Sequence, residues 1–181
     1  MVKVRSFELR PDAPQAPQPL QEMLVDHLGA SADDVRNMEN RMAELARREE
    51  LPLSPHRQIG NTLNVHRVLQ AANEHGAGLH WFSSLQRGYF AGELDPFDDA
   101  TLMQSGEQAG IPAEQARAAL TDDRYLSAVR ADEAEARAIG ISGVPFALID
   151  GKWAIPGAQE TNVFTAALQQ ILAQGQTGES G

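Results

Sequence analysis

Hydrophobic and polar positions divide the chain into three stretches. In Val2-Lys3-Val4-Arg5-Ser6-Phe7-Glu8-Leu9, apolar and charged residues alternate, and the phase shifts at Ser6 so that Phe7 and Leu9 carry it on. This predicts a strand with a bulge or change of face near Ser6. Pro11, Pro14, Pro17 and Pro19 come next, four prolines in nine residues, which predicts an extended connector that forms neither helix nor ladder. From Pro19 onward the spacing is helical. Leu20–Leu28 has Pro19 at its first turn and Gly29 beyond its end. Ser31-Ala32-Asp33-Asp34 reads as a capping box opening a helix to about Glu50, with Val35, Met38, Met42 and Leu45 on one face. Pro52 stops it, and Leu51–Gly60 is a loop.

Asn61 or Thr62 caps the next helix, where Leu63, Val65, Val68 and Leu69 are the buried candidates and Gly76 and Gly78 the stop. Leu79–Ala91 is the most aromatic helix, carrying Trp81, Phe82, Tyr89 and Phe90 beside Leu85. Asp98 caps a helix to Ala109, Pro112 stands in the first turn of another, and Asp122 or Asp123 opens a long one to Ile139, closed by Gly140. The period then changes. Phe146–Ile149 is a compact apolar run, Asp150-Gly151 a strong hairpin signal, and Trp153–Ile155 the return strand. Thr161–Gln174 is a last amphipathic helix with Val163, Phe164, Ala167, Leu168, Ile171 and Leu172 inward, and 175–181 is expected to fray. Strand, helices, antiparallel hairpin and helix make an α/β order with an inserted helical block.

Composition narrows the functions open to this fold. The chain has 181 residues, 42% hydrophobic and 22% charged, as in a globular domain. No apolar run approaches the roughly 18–20 residues of a membrane span, and MVKVRSFELR lacks the pattern of a secretory signal, so a cytoplasmic location is the expectation. Fifteen basic residues against 25 acidic ones give −10 with no basic cluster, which speaks against nucleic acid and against an anionic membrane surface. Cysteine is absent. That removes disulfides, cysteine-ligated metals and a cysteine nucleophile from these residues.

Little else in the chain carries chemistry. The five histidines His27, His56, His66, His75 and His80 lack metal-ligand spacing, and no metal or cofactor is expected. Asp95, Asp98 and Asp99 lack the glycine and glutamate of a calcium loop, and capping by Asp98 accounts for them better. Asp132, Glu133 and Glu135 are expected on a solvated helix face. No serine stands in a G-x-S-x-G elbow. His66, in Gly60-Asn61-Thr62-Leu63-Asn64-Val65-His66-Arg67, reads as a partly buried histidine hydrogen-bonded within the helical block. The sharpest local feature is Gly140-Ile141-Ser142-Gly143-Val144-Pro145-Phe146, a helix stop followed by a proline immediately before a buried strand. Val144 must be extended there, and its bond to Pro145 is one of the few types that adopt cis at modest cost.

Gly143-Val144-Pro145 before a strand, an Asp-Gly hairpin and Gly157-Ala158-Gln159 resemble the DsbA-like thioredoxin superfamily, and more narrowly its FrnE-type branch. Ser6-Phe7-Glu8-Leu9 with Pro11, Gly60-Asn61-Thr62 to His66-Arg67, and Tyr125–Asp132 leading to Gly140-Ile141 extend the similarity over nearly the whole chain in the family's order. The resemblance implies a thioredoxin-like sheet with a large inserted helical subdomain: 1–18 and 140–174 as the thioredoxin-like portion, 19–139 as the insertion with its connecting helix, and 175–181 as a flexible tail. It implies a cis Val144–Pro145 bond, and a groove in which Gly143, Val144 and Pro145 bind a polypeptide or thiol substrate through main-chain hydrogen bonds beside a Cys-x-x-Cys motif. That motif is missing, as are the family's first strand and first helix, so the chain resembles an N-terminally truncated member. Thiol–disulfide exchange requires a thiolate, and no other side chain replaces it.

The resemblance therefore implies a bacterial thiol–disulfide oxidoreductase relative without catalytic residues of its own. Two alternatives remain open. One is a non-catalytic peptide- or partner-binding module. The other is a relative of the glutathione-dependent isomerases and transferases, which use a serine near the N-terminus. In the family's fold the missing first strand is central. Without it, Val2–Leu9 is expected to shift across to Phe146–Ile149, to pair with a second copy in a homodimer, or to leave the sheet open at a cost of about 1–3 kcal/mol for each unpaired buried group.

Overall fold

The computed structural model describes residues 2–178, and the chain divides into two compact units, Met1–Glu133 and Ala134–Gly181. In the first unit, β1 (Gln18–Pro19) pairs antiparallel with β2 (Gln58–Ile59), Gln18 opposite Ile59. The Pro-rich connector therefore does enter a ladder. The strand is two residues long, and Pro19 lies at its end, where a missing N–H is tolerated. Asn61 anchors the rest of the connector. Its side-chain amide donates to the carbonyls of Pro11 and Ala13, its backbone N–H donates to that of Pro14, and its Oδ1 accepts from Leu63 N–H at the mouth of the next helix.

Helix α1 (Leu20–Leu28) ends in a left-handed Gly29, with φ at +62°. Helix α2 (Ala32–Arg48) opens on a complete capping box between Ser31 and Asp34. Met23, Leu24 and Val35 form a small apolar cluster between these two helices. The stripe on α2 does not stay buried. Val35 is covered, but Met38, Met42 and Leu45 are 40–51% exposed. The face of α2 that turns inward beyond Val35 carries Glu39 instead, one turn on, where it takes a bidentate pair of hydrogen bonds from buried Arg57.

The main core is built by α3 (Leu63–Glu74), α4 (Gly78–Ala91), α5 (Asp99–Gln108) and α6 (Ala113–Thr121), joined by Tyr125 from α7 (Asp123–Ala138). Val65, Val68, Leu69, Ala71 and Ala72 of α3 meet Trp81 and Leu85 of α4, Leu102 of α5 and Ala116 and Ala119 of α6. Leu63 is only half-buried. Two polar devices close the bundle. Trp81 Nε1 donates to Ser105 Oγ at 3.0 Å, and Arg67 donates to the carbonyls of Leu120 and Asp122, capping α6. The acidic run is structural: Asp98 caps α5 by accepting from Thr101 N–H, Asp95 accepts from Phe97 N–H, and Asp99 accepts from Asn64.

In the second unit, β3 (Phe146–Ile149) and β4 (Trp153–Pro156) form a hairpin with Ile149 opposite Trp153. Asp150 and Gly151 both have positive φ, the conformation that this turn requires. Helix α8 (Thr161–Gly178) completes the unit, so the expected fraying at 175–181 gives way to helix as far as Gly178, and 179–181 lie outside the described residues. The inward face expected on α8 is half-formed. Phe164, Ala167 and Ile171 are half-buried, while Val163, Leu168 and Leu172 are exposed. Ile155 is the one core residue of this unit among those described.

Val2–Leu9 is not a strand. No ladder reaches it among the described residues, and the bulge at Ser6 is absent, because Val4, Ser6 and Glu8 keep one phase and turn inward. Helix α7 takes the place of a neighbouring strand. Ser6 N–H donates to Asp132 Oδ2 at 2.9 Å, Glu8 N–H donates to Glu133 Oε1 at 3.3 Å, and Asn73 of α3 donates to the Val4 carbonyl at 2.9 Å. Asp132 and Glu133 are thus buried rather than on a solvated face, although Glu135 is exposed.

Candidate functional site

The loop that the sequence marks most sharply is shaped from both ends. Helix α7 stops where Gly140 takes φ near +80°, and Ile141 N–H donates back to the Ala136 carbonyl. Downstream, Gly157 N–H donates to the Pro145 carbonyl at 2.9 Å, which ties the proline to the end of β4. The Val144–Pro145 peptide is cis. Between these anchors Gly143 is half-buried, with open space where a Cβ would stand, and Val144 is 49% exposed. The N–H and C=O of Val144 make no hydrogen bond among the described residues. The loop presents free main-chain groups beside the start of β3, and among the described residues β3 is paired on one edge only, to β4. Such an edge can hydrogen-bond an extended polypeptide. It supplies no nucleophile, acid or base.

The family profile of the DSBA-like thioredoxin domain matches residues 1–169. The chain belongs to the DsbA-like thioredoxin family. Among solved structures, a probable DsbA oxidoreductase from Streptomyces coelicolor is similar at 37% identity with a TM-score of 0.86, over 93% of this chain and 74% of that one. No curated protein matches it. The DsbA-like assignment fixes the fold as thioredoxin-like α/β with a helical insertion. The 181 residues of this DsbA-like chain hold no cysteine, so they contain no thiolate for the exchange chemistry of an oxidoreductase.

A second polar constellation lies in the first unit and was not read as a cluster from the sequence. Asp132 accepts from Ser6 N–H, from Gln70 Nε2 at 2.7 Å and from Arg5 Nε at 2.8 Å. Arg130 bridges two buried carboxylates, Glu8 and Glu133. Burial is the main reason that Glu8 titrates above the usual carboxylate range, against the pull of Arg130. Burial pushes Glu133 the same way, but its hydrogen bond and ion pair with Arg130 hold it below that range. The signal was present in the sequence. Asp132 and Glu133 stand seven and eight residues after Tyr125, on the stripe that Tyr125 and Val129 bury.

His66 is buried, 8% exposed, and its Nδ1 has no hydrogen-bond partner among the described residues, so the hydrogen-bonded role expected for it is not seen at that atom. Loss of solvation lowers its pKa to about 4, against the opposing pull of Glu133 and Asp132. Between about 4 and the ordinary 6.5, the unfolded chain binds a proton at this position and the folded chain does not. This contribution to stability is complete above pH 6.5 and is lost as pH falls towards 4, to a total of about 3 kcal/mol at 1.36 kcal/mol per pH unit. Glu133 adds in the same direction at lower pH, and Glu8 acts in the opposite sense. Urea midpoints at pH 7 and pH 4.5 should differ much less in His66→Asn than in the wild type. Equal pH dependence in the two proteins would remove His66 as the cause.

Proposed function

We propose that the chain is a FrnE-type DsbA relative whose Gly143–Val144–Pro145 loop binds extended polypeptide through main-chain hydrogen bonds, with no redox activity of its own. In this reading 1–18 and 140–174 form the thioredoxin-like portion and 19–139 the insertion. The observation that carries it is the Val144 main chain, exposed and unpartnered, in a loop held at Gly140 on one side and Gly157 on the other. The absence of any thiolate favours binding over catalysis. Reduced, alkylated polypeptide titrated into the ¹⁵N-labelled chain should shift the amides of Gly143, Val144 and Phe146 first, and the chain should not accelerate insulin reduction. Shifts confined to other surfaces would overturn the loop assignment. A second measurement separates an incomplete oxidoreductase from a binding module. A strand–Cys-x-x-Cys–helix segment of the family's type is supplied as a separate polypeptide. Oxidase activity appearing only in the mixture identifies the former, and polypeptide binding without any gain identifies the latter.

A further inference from the structure

We infer that α2 is the seam of an antiparallel, two-fold homodimer of this chain. Val35, Met38, Met42 and Leu45 succeed one another at spacings of three, four and three, the pattern of a coiled-coil seam. Only Val35 is covered within the chain, by Met23 and Leu24 of α1, so the other three form an exposed apolar row on a helix about 25 Å long. Methionine suits such a seam because its flexible thioether adapts to an opposing surface.

The charges say which surface opposes it. Helix α2 is acidic in its first turn and basic in its last, so an antiparallel copy places unlike ends together. Within the helix, Asp33 pairs with Arg36 and Glu44 with Arg47. Glu39 pairs with Arg57, and three groups are left over, Asp34, Arg48 and Arg41. Asp34 uses Oδ2 in the capping box, which leaves Oδ1 without a partner among the described residues, and Arg48 is exposed with none. The register that sets Met38 against the partner's Met42 lays the partner's Leu45 over the α1 residues that cover Val35, and also brings Asp34 beside the partner's Arg48. The two-fold axis repeats that pair at the other end. Two like-charge contacts lie at the centre: Arg41 faces the partner's Arg41, where both side chains are exposed and can turn away to solvent, and Glu39 faces the partner's Glu39, each held by its own Arg57. A parallel pair would set acid against acid and base against base. A single helix pair covers less surface than the roughly 1,200 Å² of a stable interface, so the dimer is a weak one. This surface is distinct from a strand-addition dimer through Val2–Leu9.

Sedimentation equilibrium of the full chain from about 5 μM to about 1 mM tests it. The wild type should pass from monomer to dimer. Met42→Glu should stay monomeric with an unchanged far-ultraviolet spectrum, and Arg48→Glu should weaken association about tenfold. The absence of native cysteine makes the register directly readable. In an equimolar mixture of Met38→Cys and Met42→Cys chains under mild oxidation, the mixed disulfide should dominate over either homodisulfide. A wild type that is monomeric throughout would overturn the proposal, as would a dimer indifferent to Met42→Glu. Dominant homodisulfides would overturn the antiparallel register.

Discussion

Asp132→Ala is expected to cost about 3 kcal/mol and to loosen the N-terminus before anything else. The side chain accepts from Ser6 N–H, Gln70 and Arg5, and two of those three donors are buried. Each buried donor left without an acceptor costs about 1–3 kcal/mol. Part of that cost is avoidable, because no ladder among the described residues holds Val2–Leu9 and it can lift away from α7 into water. The expected result is therefore a lower urea midpoint together with faster hydrogen exchange at Ser6 and Glu8, while amides of α3 exchange at rates set by the remaining global stability. Asp132→Asn should recover part of the loss, since its amide oxygen still accepts one bond. If Asp132→Ala leaves the Ser6 amide as protected as before, the carboxylate is not what holds this segment.

Trp81→Ala should be more damaging. Trp81 is fully buried on α4, which packs against α3 and α5, and is the largest buried side chain among the described residues. Removing an indole from a packed core costs about 3–5 kcal/mol. Ser105 Oγ also loses the donor that it accepts from. Against a typical domain stability of about 5–15 kcal/mol, the helical block would sit near its threshold. Trp81→Phe keeps most of the apolar volume and loses the N–H, so it should cost about 1–2 kcal/mol. Chemical denaturation monitored by circular dichroism reads both. Equal costs for the two variants would show that the hydrogen bond to Ser105, rather than packing, is what Trp81 contributes.

The helical block was legible residue by residue because its signals are local. Gly29, Ser31, Asp98 and Gly140 punctuate the chain wherever they stand, and the apolar spacing in α3 and α4 points to one core whatever else is nearby. The Gly143–Pro145 loop was legible for a similar reason, as a helix stop and a proline flanking a short apolar run. Val2–Leu9 was misread because alternation of side chains is a property of the segment, whereas a ladder is a property of its neighbour. The segment alternates, but the groups turned inward are Ser6 and Glu8, and their partners stand some 125 residues away on α7. The exposure of Met38, Met42 and Leu45 was missed because apolar spacing shows that a helix has an apolar face without showing what covers it.

An ordinary ladder is made of backbone and tolerates almost any side chain that fits the sheet. The contact between the N-terminal segment and the helical block is made of backbone on one side only, and on the other it is Asp132, Glu133 and Asn73. Its register is accordingly written in the helix. Each residue added to a helix or deleted from it turns the rest of that helix by about 100°. One residue inserted between Tyr125 and Asp132 would swing both carboxylates off the face that meets Ser6 and Glu8, although the helix itself would lose nothing. The length of this part of α7 is as constrained as any residue in it, and variants of this chain should accept substitutions on its outer face far more readily than a change in its count.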